Sequence, residues 1–393
     1  MTSSSDTSRS PLLLMVAGAK GAIASTLAVA VTSLRHDPRL VLPSLTTAEK
    51  FPFIGPPQVL RMVGWDQGRK SLLESLKGHG VLSENIWKPH ESELEKMGIE
   101  EAPDSSLDLK SQIKKVVEDI QGFQNRYPDS RPVFVNLLPA AIRQDLSLCK
   151  TQHQLHSELD PKTFPDMAYI LAAIQCGLPV INFTPNEVEI PVVLKEVTER
   201  ALPLCGRDGK TGQTYLKVVL ASALKARRLF IDGWYSLNIL GNADGENLAE
   251  PGKAEGKLLN KTELLDDLLG YRVGERYQTA THKVLIDYYP PRGDAKEAWD
   301  VIDFLGLFGL PMSLRLNLQG RDSILAAPMV LDLARWMAAL HLAGKKGPIP
   351  ELGFFFKKPV GNAPALTFQD QLHSLDELER TCESDFARKN PSL

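Results

Sequence analysis

Apolar runs along the chain alternate between strand-like and helix-like spacing. LLLMVA is a strand pattern that leads through a glycine turn at Gly18 into the helix pattern AIASTLAVAVTSL. Three further strand patterns follow: VLRMVGW ends at Asp66, RPVFVNLLPA passes Asn136, and GLPVINFTPN passes Thr184. Strands that alternate with helices form parallel sheets. The pattern predicts an α/β fold built on a Rossmann-like, doubly wound parallel sheet.

From Lys210 onward the pattern changes. An amphipathic helix, TYLKVVLASALKARR, precedes the strand LFIDGWYSLNIL, which delivers Asn238, Asn242 and Asp244 towards a loop. Two more strands, VLIDYYP and SLRLNL, lead to a long apolar helix headed by Asp322. This order predicts a second, central unit after the parallel sheet.

Composition limits the function. The chain has 393 residues with 43% hydrophobic content, enough for a large core and typical of two domains. With 45 basic and 48 acidic residues, it has no charge excess that would favour nucleic acid or anionic lipid. Four widely spaced cysteines show no metal or disulfide pattern, which favours a reducing cytoplasm. The apolar stretch from residue 12 to 34 is interrupted by Lys20 and two glycines, so we do not expect it to span a membrane.

The glycine turn predicts a dinucleotide site. Gly18, Gly21 and Ala24 lie three apart, and Lys20 stands where the usual fingerprint has its second glycine. A tight turn without a ligand would need the same glycines. The predicted cofactor contacts from the turn and the strand ends are Gly18, Lys20, Gly21, Ala22, Ile23, Asp66, Asn136 and Thr184; ordinary loop chemistry would also explain the last two.

The motif KTGQT predicts a phosphate site. It directly precedes a helix, whose free N–H groups and dipole attract an anion. A simple N-cap by Thr211 or Thr214 would explain one hydroxyl of the motif but not the whole combination. The predicted substrate contacts here are Lys210, Thr211, Gly212, Gln213 and Thr214.

These blocks resemble the myo-inositol-1-phosphate synthase (inositol-3-phosphate synthase) family, and its shorter prokaryotic members in particular. The matching blocks are VGWD, INFTPN, GRDGKTGQT, NILGNADGENL, GKLLNK, GDAK, GRDSILAAP and FFFKKP. The resemblance implies an NAD-dependent isomerase that converts D-glucose 6-phosphate to 1L-myo-inositol 1-phosphate by oxidation, enolisation, intramolecular aldol cyclisation and reduction. Preorganised cations would stabilise the oxyanions that form in these steps.

The resemblance also implies roles for individual residues. Lys257 would move the proton of the hydroxyl at carbon 5, Lys261 and Lys296 would hold the phosphate and the oxyanion, and Lys357 would act at the aldehyde. Further substrate contacts would be Asn238, Asn242 and Asp294, and further cofactor contacts Asp208, Asp244 and Asp322. Two departures from the family are Lys20 with Ala24 in the cofactor turn, and Ala243 where many members have asparagine.

The family's architecture implies a cofactor domain assembled from both chain ends and a central α+β domain that builds a homo-oligomer, commonly a tetramer. The expected segments are a disordered terminus (1–10), the first part of the NAD-binding domain (11–213), the catalytic and oligomerisation domain (214–322) and a C-terminal segment that rejoins the first domain (323–393). Some members need a divalent cation or ammonium. His153 and His156 lack further ligands nearby, so the metal question stays open.

Three alternatives remain at this stage. A plain NAD-dependent dehydrogenase on another sugar or polyol phosphate would release NADH. A cyclase could act on a related sugar phosphate. A non-catalytic paralogue would be expected to lose the lysines, and all four are present.

Overall fold

The computed structural model describes residues 10–242, 245–247 and 264–391. Residues 1–9 of the predicted disordered terminus (1–10) lie outside these ranges, as do Asp244, Lys257 and Lys261 with their predicted roles and the departure at Ala243.

The first sheet is parallel, as the sequence pattern predicts, and has seven strands in the described part of the chain. Their spatial order is β11-β6-β5-β4-β1-β2-β3. β1 to β6 follow the dinucleotide-binding order, and the seventh strand comes from near the C-terminus. The strands are β1 (Leu12–Ala17), β2 (Arg61–Asp66), β3 (Ile99–Glu101), β4 (Arg131–Asn136), β5 (Val180–Asn182), β6 (Pro203–Gly206) and β11 (Gly347–Pro348).

The second sheet has four strands in the order β10-β9-β7-β8. β7 pairs in parallel with β8, whereas the β7–β9 and β9–β10 pairs are antiparallel. The strand that begins at Lys296 was not among those predicted from the sequence pattern. The strands are β7 (Phe230–Leu240), β8 (His282–Tyr288), β9 (Lys296–Leu305) and β10 (Pro311–Gly320).

Helices cover both faces of the first sheet and one face of the second. Residues 264–269 are also helical. Four short 3-10 helices occupy the Pro-rich stretch between α1 and β2, and another spans Pro350–Phe355. The α-helices are α1 (Ala22–His36), α2 (Leu72–His79), α3 (Glu84–Trp87), α4 (Glu91–Glu95), α5 (Leu109–Arg126), α6 (Gln152–Glu158), α7 (Asp166–Gln175), α8 (Pro191–Glu199), α9 (Gln213–Ala226), α10 (Asp322–Ala343) and α11 (Phe368–Lys389).

Both chain ends build the first unit, as expected. One core cluster joins β1 and α1 to α10, and a second lies on the opposite sheet face beneath α5 and α7. A third, smaller cluster lies between α9 and the second sheet. The exact domain limits predicted from the sequence stay a proposal.

In the part of the chain that the structure describes, one helix, Asp322–Ala343, is long and apolar enough to cross a membrane by length and composition. Its apolar window is 78% buried inside the fold, so it is a core helix of this unit.

Candidate functional site

The site is organised by the carboxyl edge of the parallel sheet. Ala17 is in register with Asn136, which is in register with Asn182, which is in register with Gly206. Four strands therefore end in one row. Ligands of open α/β sheets bind at this edge.

The turn after β1 has the geometry of a dinucleotide cradle. Gly18 has φ +82°, and a Cβ there would lie 2.8 Å from the backbone oxygen of Leu137. Only glycine fits this position. α1 then begins at Ala22, directly after Gly21, so its first N–H groups face the turn.

Lys20 replaces the second glycine of the usual fingerprint. Its side chain does not fill the space that a glycine would leave open. Its backbone N–H donates to Asp66 Oδ2 (2.6 Å), and its Nζ reaches sideways to the oxygen of Gly68 (2.9 Å). His79 Nε2 donates to the Lys20 oxygen (2.9 Å). Burial raises the pKa of Asp66, while the Lys20 N–H and charge oppose that shift. The turn and the acidic strand end thus suit a dinucleotide.

Asp208 lies on the opposite side of the row of strand ends. It has φ +62°, a left-handed conformation that aspartate tolerates better than most residues. Its N–H donates to the oxygen of Thr184 (2.8 Å), and its Oδ1 accepts from Lys357 Nζ (2.5 Å). A strained backbone here holds a carboxylate against an amine, as at many functional sites.

Asp322 accepts hydrogen bonds from two further predicted site residues. Its Oδ1 accepts from Thr211 Oγ1 (3.0 Å), and its Oδ2 accepts from Lys296 Nζ (2.9 Å). Burial would raise the pKa of Asp322, but the charges of Lys296 and Lys357 and the two hydrogen bonds lower it well below the usual range. The carboxylate is therefore charged at any ordinary pH.

Asn242 and Asp294 form a third pair. Asn242 Nδ2 lies 3.4 Å from Asp294 Oδ1, a long hydrogen bond. Asp294 Oδ2 is buried without a hydrogen-bond partner in the described structure. Burial raises the pKa of Asp294 despite its contact with Asn242. A group with one unsatisfied buried oxygen is suited to contact a ligand hydroxyl.

These groups open into one cavity of about 970 Å³. It runs from the glycine turn, past Asp66, to the carboxylates and Lys357, so the predicted dinucleotide site shares one space with Thr211 of the predicted phosphate site. This size is at the upper end for small-molecule sites. The predicted residues that line it are Gly18, Lys20, Gly21, Ala22, Ile23, Asp66, Thr184, Asp208, Thr211, Asn242, Asp294, Asp322 and Lys357.

Other predicted contacts lie behind this surface. Gln213 Nε2 donates to Asp300 Oδ2 (2.9 Å), in the interface between α9 and the second sheet. Lys210 is buried away from the cavity, and Lys296 stands behind Asp322. The predicted residues that do not line the cavity are Asn136, Lys210, Gly212, Gln213, Thr214, Asn238 and Lys296.

Sequence reasoning missed a buried carboxylate beneath the cavity floor. Asp166 Oδ1 accepts from Asn136 Nδ2 (2.7 Å) and from Asn186 Nδ2 (2.8 Å). Asn186 also holds the backbone of Pro139 and Ala141, next to the cavity. Asn136 therefore supports the floor rather than facing a ligand. The sequence signal was an aspartate at the head of a largely apolar helix.

No group of three or more His, Cys, Asp or Glu side chains among the described residues is arranged to hold a metal ion.

The sequence of this chain is similar to those of known proteins. Residues 212–323 match the family model of myo-inositol-1-phosphate synthase. Inositol-3-phosphate synthase 1 of Bacteroides thetaiotaomicron is 38% identical over 229 residues, which is 58% of this chain and 53% of that protein. The resemblance to the myo-inositol-1-phosphate synthase family is confirmed.

The fold of this chain matches those of a solved inositol-3-phosphate synthase and of a related protein. The crystal structure of inositol-3-phosphate synthase from Caenorhabditis elegans superposes with a TM-score of 0.82 at 18% identity, covering 95% of this chain and 86% of that one. A myo-inositol-1-phosphate synthase-related protein from Thermotoga maritima gives 0.77 at 20% identity, covering 95% and 98%. At these identities the likeness establishes the Rossmann-like fold.

The chain spans about half the length of the curated synthases that it matches. The range matched by the synthase family model contains Asn242, Asp294, Lys296 and Asp322, which are predicted site residues.

Proposed function

We propose that the protein is an NAD-dependent isomerase that converts D-glucose 6-phosphate to 1L-myo-inositol 1-phosphate. The observation that carries the proposal is one cavity that is lined both by the dinucleotide turn at Gly18 and by Asp322 and the Lys357–Asp208 pair. A hydride acceptor and fixed cations in one space are what oxidation followed by ring closure requires.

The cofactor would be held along the sheet edge. NAD, when bound, accepts a hydride from the sugar and later returns it. The N–H groups at the start of α1 would contact its pyrophosphate, and Asp66 would accept hydrogen bonds from a ribose hydroxyl. Thr184 and Asp208 would border the nicotinamide end.

The substrate would lie between α9 and α10. Thr211, which lines the cavity, would contact the phosphate, and Asn242 and Asp294 would contact ring hydroxyls. Lys357, which Asp208 holds in position, would stabilise negative charge on the carbonyl oxygens, and Lys296 would hold the carboxylate of Asp322 at the cavity wall. Lys257 and Lys261, which the family resemblance implies, would complete the set.

The test is turnover of purified protein with glucose 6-phosphate and NAD. Phosphorus NMR should show inositol phosphate, with no NADH accumulating at 340 nm. Lys357→Ala should lower kcat by about 100-fold or more, because it removes a preorganised cation. The adjacent Lys358→Ala is the matched control and should retain activity, since Lys358 does not line the described cavity.

Other results would assign a different function. Stoichiometric NADH would identify a plain dehydrogenase. Turnover of a different sugar phosphate without net NADH would identify a related cyclase. Absence of turnover with added ammonium or divalent cation would favour a non-catalytic paralogue.

We propose further that the active form is a homotetramer in the cytoplasm. The outer face of the second sheet carries a row of apolar residues in register, Leu285, Leu237 and Trp299, and Leu285 and Trp299 are almost half exposed. Lys283, Asp287, Asp303 and Arg315 lie beside this row, so both charge signs are present and the face can pair with its own copy. All four cysteines are free, which suits a reducing compartment.

A further inference from the structure

Lys210 belongs to the loop that leads into the cavity, yet its side chain is buried. Its Nζ donates to the oxygen of Gly353 (3.1 Å) and to Gln371 Oε1 (2.8 Å). Both acceptors are neutral, and no carboxylate pairs with this amine within the described ranges. Burial, with a smaller effect of the Lys357 charge, lowers the pKa of Lys210 to about 7. These contacts do not suit a cation that binds a substrate phosphate.

The contacts instead join two backbone segments. Residues 207–210 pair with residues 355–358: Lys210 N–H donates to Phe355 O (2.8 Å), and Lys357 N–H donates to Asp208 O (2.8 Å). The Lys210 side chain reaches Gly353, just before this paired region begins. It therefore fixes the start of the segment that presents Lys357 to the cavity.

The second acceptor links this segment to the C-terminal helix. Gln371 lies in the first turns of α11 and is buried. Its Nε2 donates to the oxygens of Ala365 and Leu366 (3.2 Å each), which turns its Oε1 towards Lys210. One amine thus connects the α9 loop, the Lys357 segment and α11.

We infer that Lys210 is a positioning residue, which aligns the segment that carries Lys357 against Asp208 and couples that alignment to the docking of α11. The importance of Lys357 for turnover rests on the proposed function, whereas the alignment itself does not.

A labelling experiment measures the alignment without turnover. The folded, full-length protein is treated with trace acetic anhydride, and mass spectrometry with fragmentation separates Lys357 from Lys358. In Lys210→Met, which keeps the length of the side chain, Lys357 should be acetylated about fivefold faster because it is held less firmly against Asp208. The rate at Lys358 serves as the internal reference.

Lys217→Met is the matched control. Lys217 is also buried and lies on α9, but its Nζ contacts His282 Nε2 (2.7 Å) and no part of the Lys357 segment. This variant should leave the acetylation of Lys357 unchanged. Thermal melts confirm that each variant is folded.

Kinetics give a second measurement. Lys210→Met should lower kcat roughly 10- to 100-fold, as expected for a misplaced catalytic group, with KM for NAD nearly unchanged. Gln371→Leu should act in the same direction with a smaller effect. The double variant should be no worse than Lys210→Met, because both changes break one contact.

Unchanged Lys357 acetylation in folded Lys210→Met would overturn the inference, as would a raised KM for the sugar phosphate with unchanged kcat. If Lys210→Met does not fold, Gln371→Leu is judged by the same labelling criterion. If the wild-type protein turns over no glucose 6-phosphate, the proposed function fails, and faster acetylation of Lys357 still supports the positioning role.

Discussion

At the scale of single residues, we expect Lys210 to make the free energy of unfolding depend on pH in the alkaline range. Its pKa is about 7 in the fold and near 10.5 in an unfolded chain. Between these values the unfolded chain holds a proton that the folded chain has released, so the free energy of unfolding rises with pH across this window. Lys210→Met should remove this rise. Urea unfolding at pH 7 and pH 9.5 measures it.

The control for this prediction is Lys50, which lies between α1 and β2 and forms a salt bridge with Glu379 on α11. Lys50→Met should leave the slope of stability against pH between 7 and 9.5 close to that of the wild type. A Lys210→Met variant with the wild-type slope would show that the amine is charged in the fold.

The side chains of the KTGQT motif point in different directions, which the sequence could not reveal. KTGQT correctly indicated a polar loop before a helix, and Thr211 does reach the cavity. Lys210 and Gln213 turn instead towards α11 and the second sheet. The direction of a side chain at a helix start depends on which elements pack against that helix. Asn136 was indicated by its strand end, but Asp166, its partner, comes from another element.

At the scale of elements, α10 carries a charged pair inside the core. Both oxygens of Asp332 accept from the N–H and hydroxyl groups of Thr46 and Thr47, at 2.7 to 2.9 Å. Arg335 donates to the oxygens of Thr47, Lys50 and Gly55. The helix thereby fixes the Pro-rich stretch that follows α1, and these contacts explain two charges in a helix otherwise apolar enough for a membrane.

Asp332→Ala should therefore destabilise the protein by about 3 kcal/mol, because it leaves buried donors of Thr46 and Thr47 without partners. Urea or thermal unfolding measures the change. Asp376→Ala, which removes an exposed carboxylate on α11, should change stability by less than about 0.5 kcal/mol. Equal effects of the two changes would contradict this account of α10.

The sequence predicted elements well where their apolar pattern was continuous. β1, α1, β2, β4 and α10 were found in this way. β9 was missed because KEAWDVIDFL mixes polar residues into both faces: Asp300 points inwards to Trp234 and Ser236, while Trp299 points outwards. Strands are recognised by apolar residues that alternate with polar ones, with the apolar side chains buried. In β9 this is reversed, because an aspartate is buried under α9 and a tryptophan is exposed.

At the scale of the whole molecule, the outer face of the second sheet should be an interface between copies. Trp299→Arg places a charge in the centre of the apolar row and should convert the assembly to a smaller species. Light scattering with size-exclusion chromatography measures this, and circular dichroism checks the fold. Leu40→Arg, at an exposed leucine of the first unit, is the control and should leave the assembly intact. An unchanged mass for Trp299→Arg would exclude this face.

The long-range contacts of α10 also have a consequence for synthesis. Arg335 meets Thr47 across 288 positions of the chain, so β1 and α1 leave the ribosome long before the helix that covers them. At usual elongation rates this interval is about 15 to 60 s. During that time the apolar face around Leu14 and Val16 lacks its cover. The nascent chain is thus a natural client for chaperones, and a truncation before residue 322 should aggregate rather than yield a folded cofactor domain.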